Sequence, residues 1–280
     1  MGMTKTQVIF MTDLDRTIIH SKHPGEPVVE WMSQTKLINR TDLDEEVVEE
    51  VVERRAVTHM TERAQAQLAQ LLQDSRFVFI PCTMRNLQQV YRVDFLKTYQ
   101  PAYMVCTNGA QIYRNGVLDL VWESKMRALV SKETLLREKQ LIETLDLPSV
   151  EIRITEDFYL TLKFEDESEA QVATRVLKGV FSPHERQVIQ VGRKVFVMHP
   201  QIDKVHAVDY LMQGEGWEER VYTSGDSLVD QWFTLRGQAL LPAHATFKGC
   251  PSAIRTKESG IRATEEILAY LAEILAQLPA

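Results

Sequence analysis

The chain has 280 residues, 44% of them hydrophobic and 25% charged, the composition of a folded protein with one large domain or a core plus a smaller one. A formal net charge of −7 argues against broad binding to nucleic acid or to an anionic membrane surface. No apolar run approaches the roughly 20 residues of a membrane helix, and three widely spaced cysteines, Cys82, Cys106 and Cys250, set up neither a disulfide framework nor a metal-ligand spacing, so a reducing cytoplasm is expected.

The opening MGMTKTQVIFMTD has an apolar stretch too short for a signal peptide, broken by Asp13 and Asp15, and residues 8–11 read as a first β-strand. Residues 21–60 are placed as a partly exposed flap beside that strand. Within them, 45–55 gathers Val47, Val48, Val51 and Val52 on one helical side, whereas 28–32 and 55–58 are β-compatible and would make a hairpin instead. His20 and His23 lack the cysteine or acidic partner that would complete a metal set and read as flap residues. A helix over 61–73, a strand over 77–80, a helix over 86–97 and a strand over 103–106 follow. Beyond residue 113 the pattern changes to a helix (131–145), a hairpin (150–164) turning at Thr155-Glu156-Asp157, a helix (167–180) and a hairpin (186–198) around Gly192. The first pattern resumes at His199-Pro200 with a helix (204–212), strands at 221–222 and 239–241, and a helix at 264–277. Strands alternating with helices predict a parallel sheet. The helix–hairpin–helix–hairpin order predicts an inserted antiparallel sheet with helices on one face.

Four pieces fall at the carboxyl ends of predicted parallel strands, where α/β sheets bind ligands. Asp13-Leu14-Asp15 puts two acids on one side of a strand end, a crowding of like charge that a cation would relieve; alone, it reads equally as a polar turn. Thr83, in Thr83-Met84-Arg85, sets a hydroxyl before a helix N-terminus, where it suits a phosphate oxygen or simply caps the helix. Lys204 opens a helix against the helix dipole, a placement explained by an anion or by solvent. Gly225-Asp226-Ser227-Leu228-Val229-Asp230 spaces two acids four apart, on one face if the loop opens into a helix, and hard carboxylates suit Mg2+.

Asp-x-Asp, then Thr, then Lys, then Gly-Asp-x-x-x-Asp, in this order and context, resembles the haloacid dehalogenase-like hydrolase superfamily along nearly the whole chain. The insertion is similar to the α/β cap of Cof-like, sucrose-phosphate and trehalose-phosphate phosphatases, and Cys106-Thr107-Asn108-Gly109-Ala110 matches the Asn-Gly-Ala turn that opens the cap in those relatives. The resemblance implies an α/β fold, with a Rossmann-like parallel-sheet core at 1–112 and 200–280 and an inserted α+β cap at 113–199. It implies that Asp13 is the nucleophile and Asp15 the acid and base. Thr83 and Lys204 would hold the phosphoryl group. Mg2+ would be bound by Asp13, the Asp15 carbonyl and Asp226, with Asp230 assisting. Arg85 and Asn108 stand as substrate contacts or as residues that order the site. Two positions depart from the pattern: Arg16 and Met84 stand where relatives often have glycine, and Arg16 would face solvent or reach a second substrate anion. The cysteines near the site, Cys82 and Cys106, read as buried apolar fillers, and Trp31, Trp122, Trp217 and Trp232 as packing residues. The expected activity is Mg2+-dependent hydrolysis of a small phosphorylated metabolite, a sugar or sugar-acid phosphate, with no nucleic-acid or membrane partner. A phosphomutase on the same core, and a non-catalytic regulatory or scaffold protein using the acidic stretch 42–53, are the competing readings.

Overall fold

In the computed structural model, which describes residues 7–21, 31–33 and 58–279, the elements follow the predicted alternation closely. In chain order they are β1 (Val8–Thr12), β2 (Trp31–Ser33), β3 (His59–Thr61), α1 (Glu62–Gln73), β4 (Phe77–Pro81), α2 (Leu87–Val90) and α3 (Asp94–Tyr99). Next come β5 (Tyr103–Cys106), β6 (Gln111–Arg114), β7 (Val117–Leu118), α4 (Leu120–Arg127), α5 (Lys132–Glu143), β8 (Glu151–Thr155), β9 (Tyr159–Lys163) and α6 (Glu167–Val180). The chain ends with β10 (Gln187–Val191), β11 (Lys194–Met198), α7 (Lys204–Glu215), β12 (Val221–Ser224), β13 (Gln238–Leu241), β14 (Ile254–Arg255) and α8 (Ile261–Ala276).

β1 is buried at every position because helices cover both faces of the sheet it centres. Alternation sends Val8 and Phe10 into one apolar cluster with Leu68 and Leu71 of α1 and Leu268 and Leu271 of α8. Ile9 and Met11 enter the opposite cluster, with Val208 and Leu211 of α7. The resulting parallel sheet has the order β14-β13-β12-β1-β4, and a parallel bridge between Cys82 and Val105 brings β5 alongside β4. The α/β class and its parallel sheet are as expected.

β8 to β11 form a four-stranded antiparallel sheet, order β10-β11-β9-β8. Its Leu160, Leu162, Val195 and Val197 are fully buried in one cluster with Leu135 and Ile142 of α5 and Ala170, Ala173 and Leu177 of α6. The opposite face carries Tyr159, Thr161, Phe196 and Met198. Both hairpin turns use left-handed backbone, at Glu156 and Asp157 in one and at Gly192 in the other.

Two features depart from the reading of the sequence. The helix expected over 86–97 is two helices. Buried Val90, Val93 and Leu96 recur every three residues, nearer the period of a tight turn than that of an α-helix, and a break at Tyr91 and Arg92 keeps all three inward. β6 and β7 were not anticipated; they pair antiparallel with β5, and α4 after them is capped by Asp119. At the edges of 21–60, β2 pairs antiparallel with β3 and His20 bonds His59 backbone to backbone; the rest of the flap or hairpin expected over 21–60 lies outside the described residues. His23, the helix considered over 45–55 and the acidic stretch 42–53 lie outside the described residues. Among the described residues no helix is long and apolar enough to cross a membrane.

Thr61 ties the outer helices together: its hydroxyl accepts from Ala64 N at 3.0 Å to cap α1 and donates to Glu265 Oε1 of α8 at 2.6 Å. Thr61→Val keeps the side-chain volume and removes both bonds. It should lower stability by about 1–2 kcal/mol, read as a fall in the urea midpoint at unchanged slope.

Candidate active site

The loop after β1 is a tight backbone-bonded turn. Thr17, Ile18 and Ile19 all donate to Leu14 O, and Arg16 N donates to Ile19 O at 2.7 Å. Leu14 is fully buried, which leaves Asp13 and Asp15 to project to the other side. Asp13 N donates to Ser224 O of β12 at 2.9 Å, so the first acid is registered against the strand that carries the last motif. Arg16 lies in the left-handed region, φ 63°, the conformation that favours the glycine of relatives. His244 holds this residue: it accepts from Gly260 N at Nδ1 and bonds Arg16 O from Nε2 at 2.9 Å. The Arg16 side chain is half-exposed, and its Nε lies 3.2 Å from Asp226 Oδ2.

Lys204, fully buried at the start of α7, donates to Asp13 Oδ1 and to Asp230 Oδ1, both at 2.6 Å. Asp203 caps the helix through Val205 N. Close approach makes this possible. A Cβ on Gly109, whose φ is +90°, would lie 2.4 Å from Asp203 O, so only glycine lets the 107–110 turn pass beneath the start of α7.

The 225–230 loop does not open into an α-helix. Residues Leu228–Asp230 form a single 3-10 turn, and the acids converge for another reason: Asp230 Oδ2 accepts from Asp226 N, Ser227 N and the Ser227 hydroxyl, at 3.0–3.1 Å. Asp230 therefore organises the loop as well as pairing with Lys204. Oxygens of Asp13, Asp226 and Asp230 lie within 4.8 Å of one another, a donor set suited to a hard divalent cation.

Thr83 is fully buried, and its hydroxyl accepts from Arg85 N at 3.1 Å. Asn86, not Thr83, caps α2, in a capping box with Gln89. Arg85 takes both oxygens of Asp15, at 2.8 and 2.6 Å. Asn108, left-handed at φ 53° as asparagine tolerates, is buried and donates from Nδ2 to Met198 Sδ and Ile202 O, each at 3.1 Å. Its amide thus latches the segment that returns from the antiparallel sheet, and its buried Oδ1 has no partner. Cys82 and Cys106 are buried free thiols whose pKa values burial pushes up. Trp122 and Trp217 pack as expected, whereas Trp232 is exposed.

The charges do not balance. Burial holds the Asp13 carboxyl well above the usual range despite Lys204, with Asp230 and Asp226 adding to the rise. Burial and Asp230 push Asp226 up to about 7. Burial opposes the charge on Lys204, but Asp13 and Asp230 raise its pKa on balance. Asp15 goes the other way: burial would raise it, yet the bonds and charge of Arg85, with Lys194 and Lys204, bring it below the ordinary value. Lys204 alone serves Asp13 and Asp230, and Asp226 has only the half-exposed Arg16, so the acids outnumber the cations paired to them.

Sequence reasoning placed Asp13, Asp15, Lys204, Asp226 and Asp230 by motif, and the fold brings all five together. It missed the pairing of Arg85 with Asp15, although Arg85 stands two residues after Thr83. It also missed His244, which no local pattern marks.

The sequence model of the sucrose-6F-phosphate phosphohydrolase family matches residues 34–239. Among solved structures, a sucrose-phosphatase from Synechocystis, in complex with sucrose and phosphate, is similar at 16% identity and a TM-score of 0.61, over 95% of this chain and 98% of that one. A trehalose-6-phosphate phosphatase from Aspergillus fumigatus is similar at 14% identity and a TM-score of 0.52, over 96% and 93%. A haloacid dehalogenase-like hydrolase from Bacteroides thetaiotaomicron is similar at 13% identity and a TM-score of 0.57, over 95% and 99%. A search of curated proteins by sequence finds no match.

Lys204→Met keeps the buried stem and removes the ammonium between Asp13 and Asp230. Without metal, the variant should lose about 3–5 kcal/mol of stability, because two buried carboxylates lose their shared partner. Urea unfolding in excess chelator measures this, and an unchanged midpoint would count against the pairing.

Proposed function

Because the chain belongs to the sucrose-6F-phosphate phosphohydrolase family, it is a phosphatase of the haloacid dehalogenase superfamily, and we propose that it hydrolyses a sugar phosphate through an aspartyl-phosphate on Asp13. The observation that carries this reading is the buried Asp13–Lys204–Asp230 chain, with Asp15 and Asp226 at its edge.

Lys204 fixes Asp13 through Oδ1, and Asp13 attacks phosphorus as the bond to the sugar oxygen breaks. Asp15 gives that oxygen a proton, and a water molecule then passes a proton to Asp15 and displaces the phosphoryl group from Asp13. Arg85 favours the ionised, water-activating form of Asp15, so their pair opens in the first half-reaction and holds in the second. Thr83 and Lys204 grip the phosphoryl oxygens. The three convergent carboxylates and their unbalanced charge fit Mg2+, which we assign to Asp13, the main-chain carbonyl of Asp15 and Asp226, with Asp230 acting through the loop it organises. Mg2+ there would neutralise charge on the phosphoryl group as it transfers. We assign residues 113–199 as a cap over a core of 1–112 and 200–280; the antiparallel sheet with α5 and α6 falls within that interval, and a cap would exclude bulk water from the reaction.

Asp13→Asn should keep the fold and lower turnover of sugar phosphates by roughly 10³-fold or more, measured as phosphate release. Chelator should abolish the activity of the unaltered enzyme and Mg2+ restore it; normal turnover in metal-free protein would overturn the ligand assignment.

Arg16 pairs with one proposed ligand, Asp226, and so competes with the metal for it. Arg16→Gly should tighten Mg2+ binding up to about fivefold, the ratio that about 1 kcal/mol of a half-exposed ion pair represents. Calorimetric titration of the metal-free protein with Mg2+ gives the ratio directly.

A further inference from the structure

Three cations share the face of the antiparallel sheet that looks toward Asp15. Register fixes this: Met198, Phe196 and Lys194 alternate to one side of β11, opposite Tyr159, Thr161 and Lys163 of β9, and Arg153 of β8 sits opposite Thr161 on the same side. Asn108 bonds Met198 on this face. Asn86, at the start of α2, bonds Glu156 in the β8–β9 turn, so the sheet is pinned to the core at two points. The end near these contacts is apolar and buried, with Tyr159 and Phe196 in edge-to-face contact. The far end is cationic and exposed.

This arrangement is unfavourable by itself. Lys163 and Lys194 are directly opposite each other across the ladder, and like charges in that position destabilise a sheet. Among the described residues neither lysine has a carboxylate within ion-pair distance, and Arg153 has only Glu151, at 3.9 Å. Glu151 is also the cross-strand neighbour of Lys163. The cluster stands out in a chain of formal net charge −7, and its field reaches the site, since Lys194 acts on Asp15 and Arg85. A surface that sets three cations against the single carboxylate of Glu151 is complementary to an anion held there. The transferring phosphoryl group already has Lys204 and Thr83, so these cations face the rest of the substrate.

We infer that the leaving sugar carries a second anionic group, a carboxylate, which Lys194 and Lys163 bind with help from Arg153. The enzyme would then act on the phosphate ester of a sugar acid in preference to that of a neutral sugar. The inference rests on the phosphatase reading for the ester end of the substrate, and its test separates the two.

The test compares the anomeric phosphates of glucuronate and glucose, which differ only by a carboxylate in place of a hydroxymethyl group. Their affinities for the Asp13→Asn protein in excess Mg2+ are measured by calorimetry, and phosphate release from both is followed with the unaltered enzyme. The glucuronate ester should bind at least about tenfold tighter. Adding Lys194→Gln should erase that difference while leaving the glucose ester within about twofold. Equal or undetectable binding of the two esters would overturn the inference. So would a Lys194→Gln effect that weakens both alike, because the cations would then serve only to attract phosphate. A retained tenfold preference with no phosphate released from any ester, aryl phosphates included, would support the second-anion site and refute the hydrolase reading instead.

Discussion

Lys204 carries its ammonium group into a position closed to solvent, where Asp13 and Asp230 each accept a bond of 2.6 Å. A buried charge is tolerated only when it is paired and its donors are used, and a lysine in the first turn of a helix also works against the helix dipole. The surrounding loops meet both demands. Asp203 caps α7 so that the lysine can turn inward, and Gly109 lets the 107–110 turn pass in van der Waals contact with Asp203. Gly225 does the same for Asp230, because a Cβ there would lie 2.4 Å from the Cβ of the aspartate. Three loops that are distant in sequence are thereby held at one point above the end of β1.

The same construction leaves the site short of positive charge. Lys204 serves two carboxylates, Asp226 has only the half-exposed Arg16, and Asp15 is taken by Arg85. Each of these arginines stands beside a residue of the site and moderates it, Arg16 by sitting on a carboxylate of the donor set and Arg85 by favouring the ionised state of Asp15. An electron-rich cluster with cationic side chains at its rim suits the transfer of a phosphoryl group. His244 and the turn around Leu14 hold Arg16 in a backbone conformation that glycine would adopt freely.

The antiparallel sheet meets the site through few contacts. Asn108 reaches Met198 and Ile202, and Asn86 reaches Glu156, both from the short segments that follow β4 and β5. The segments that flank Thr83 and Gly109 therefore also hold the antiparallel sheet. The same Asn108 bonds the backbone at Thr83, whose carbonyl accepts from Asn108 N at 3.0 Å.

What could be read from the sequence was whatever depends on neighbours along the chain. Short apolar runs bounded by polar turns located the strands of the parallel sheet, and the change of pattern after residue 113 located the antiparallel one. Asp13, Asp15, Lys204, Asp226 and Asp230 were visible because each belongs to a motif a few residues long at a strand or helix end. The split of the 86–97 segment was not visible, because the competition between a 3.6-residue and a three-residue period is decided by which side chains the neighbouring strands cover. Pairings across long separations were equally hidden. Arg85 with Asp15, Arg16 with Asp226 and His244 with Arg16 join residues that share no periodicity, and each bond exists only because the parallel sheet sets those loops side by side. The partner of a charged side chain is chosen by distances of a few ångströms in space, and local sequence carries no record of those distances until the chain has folded.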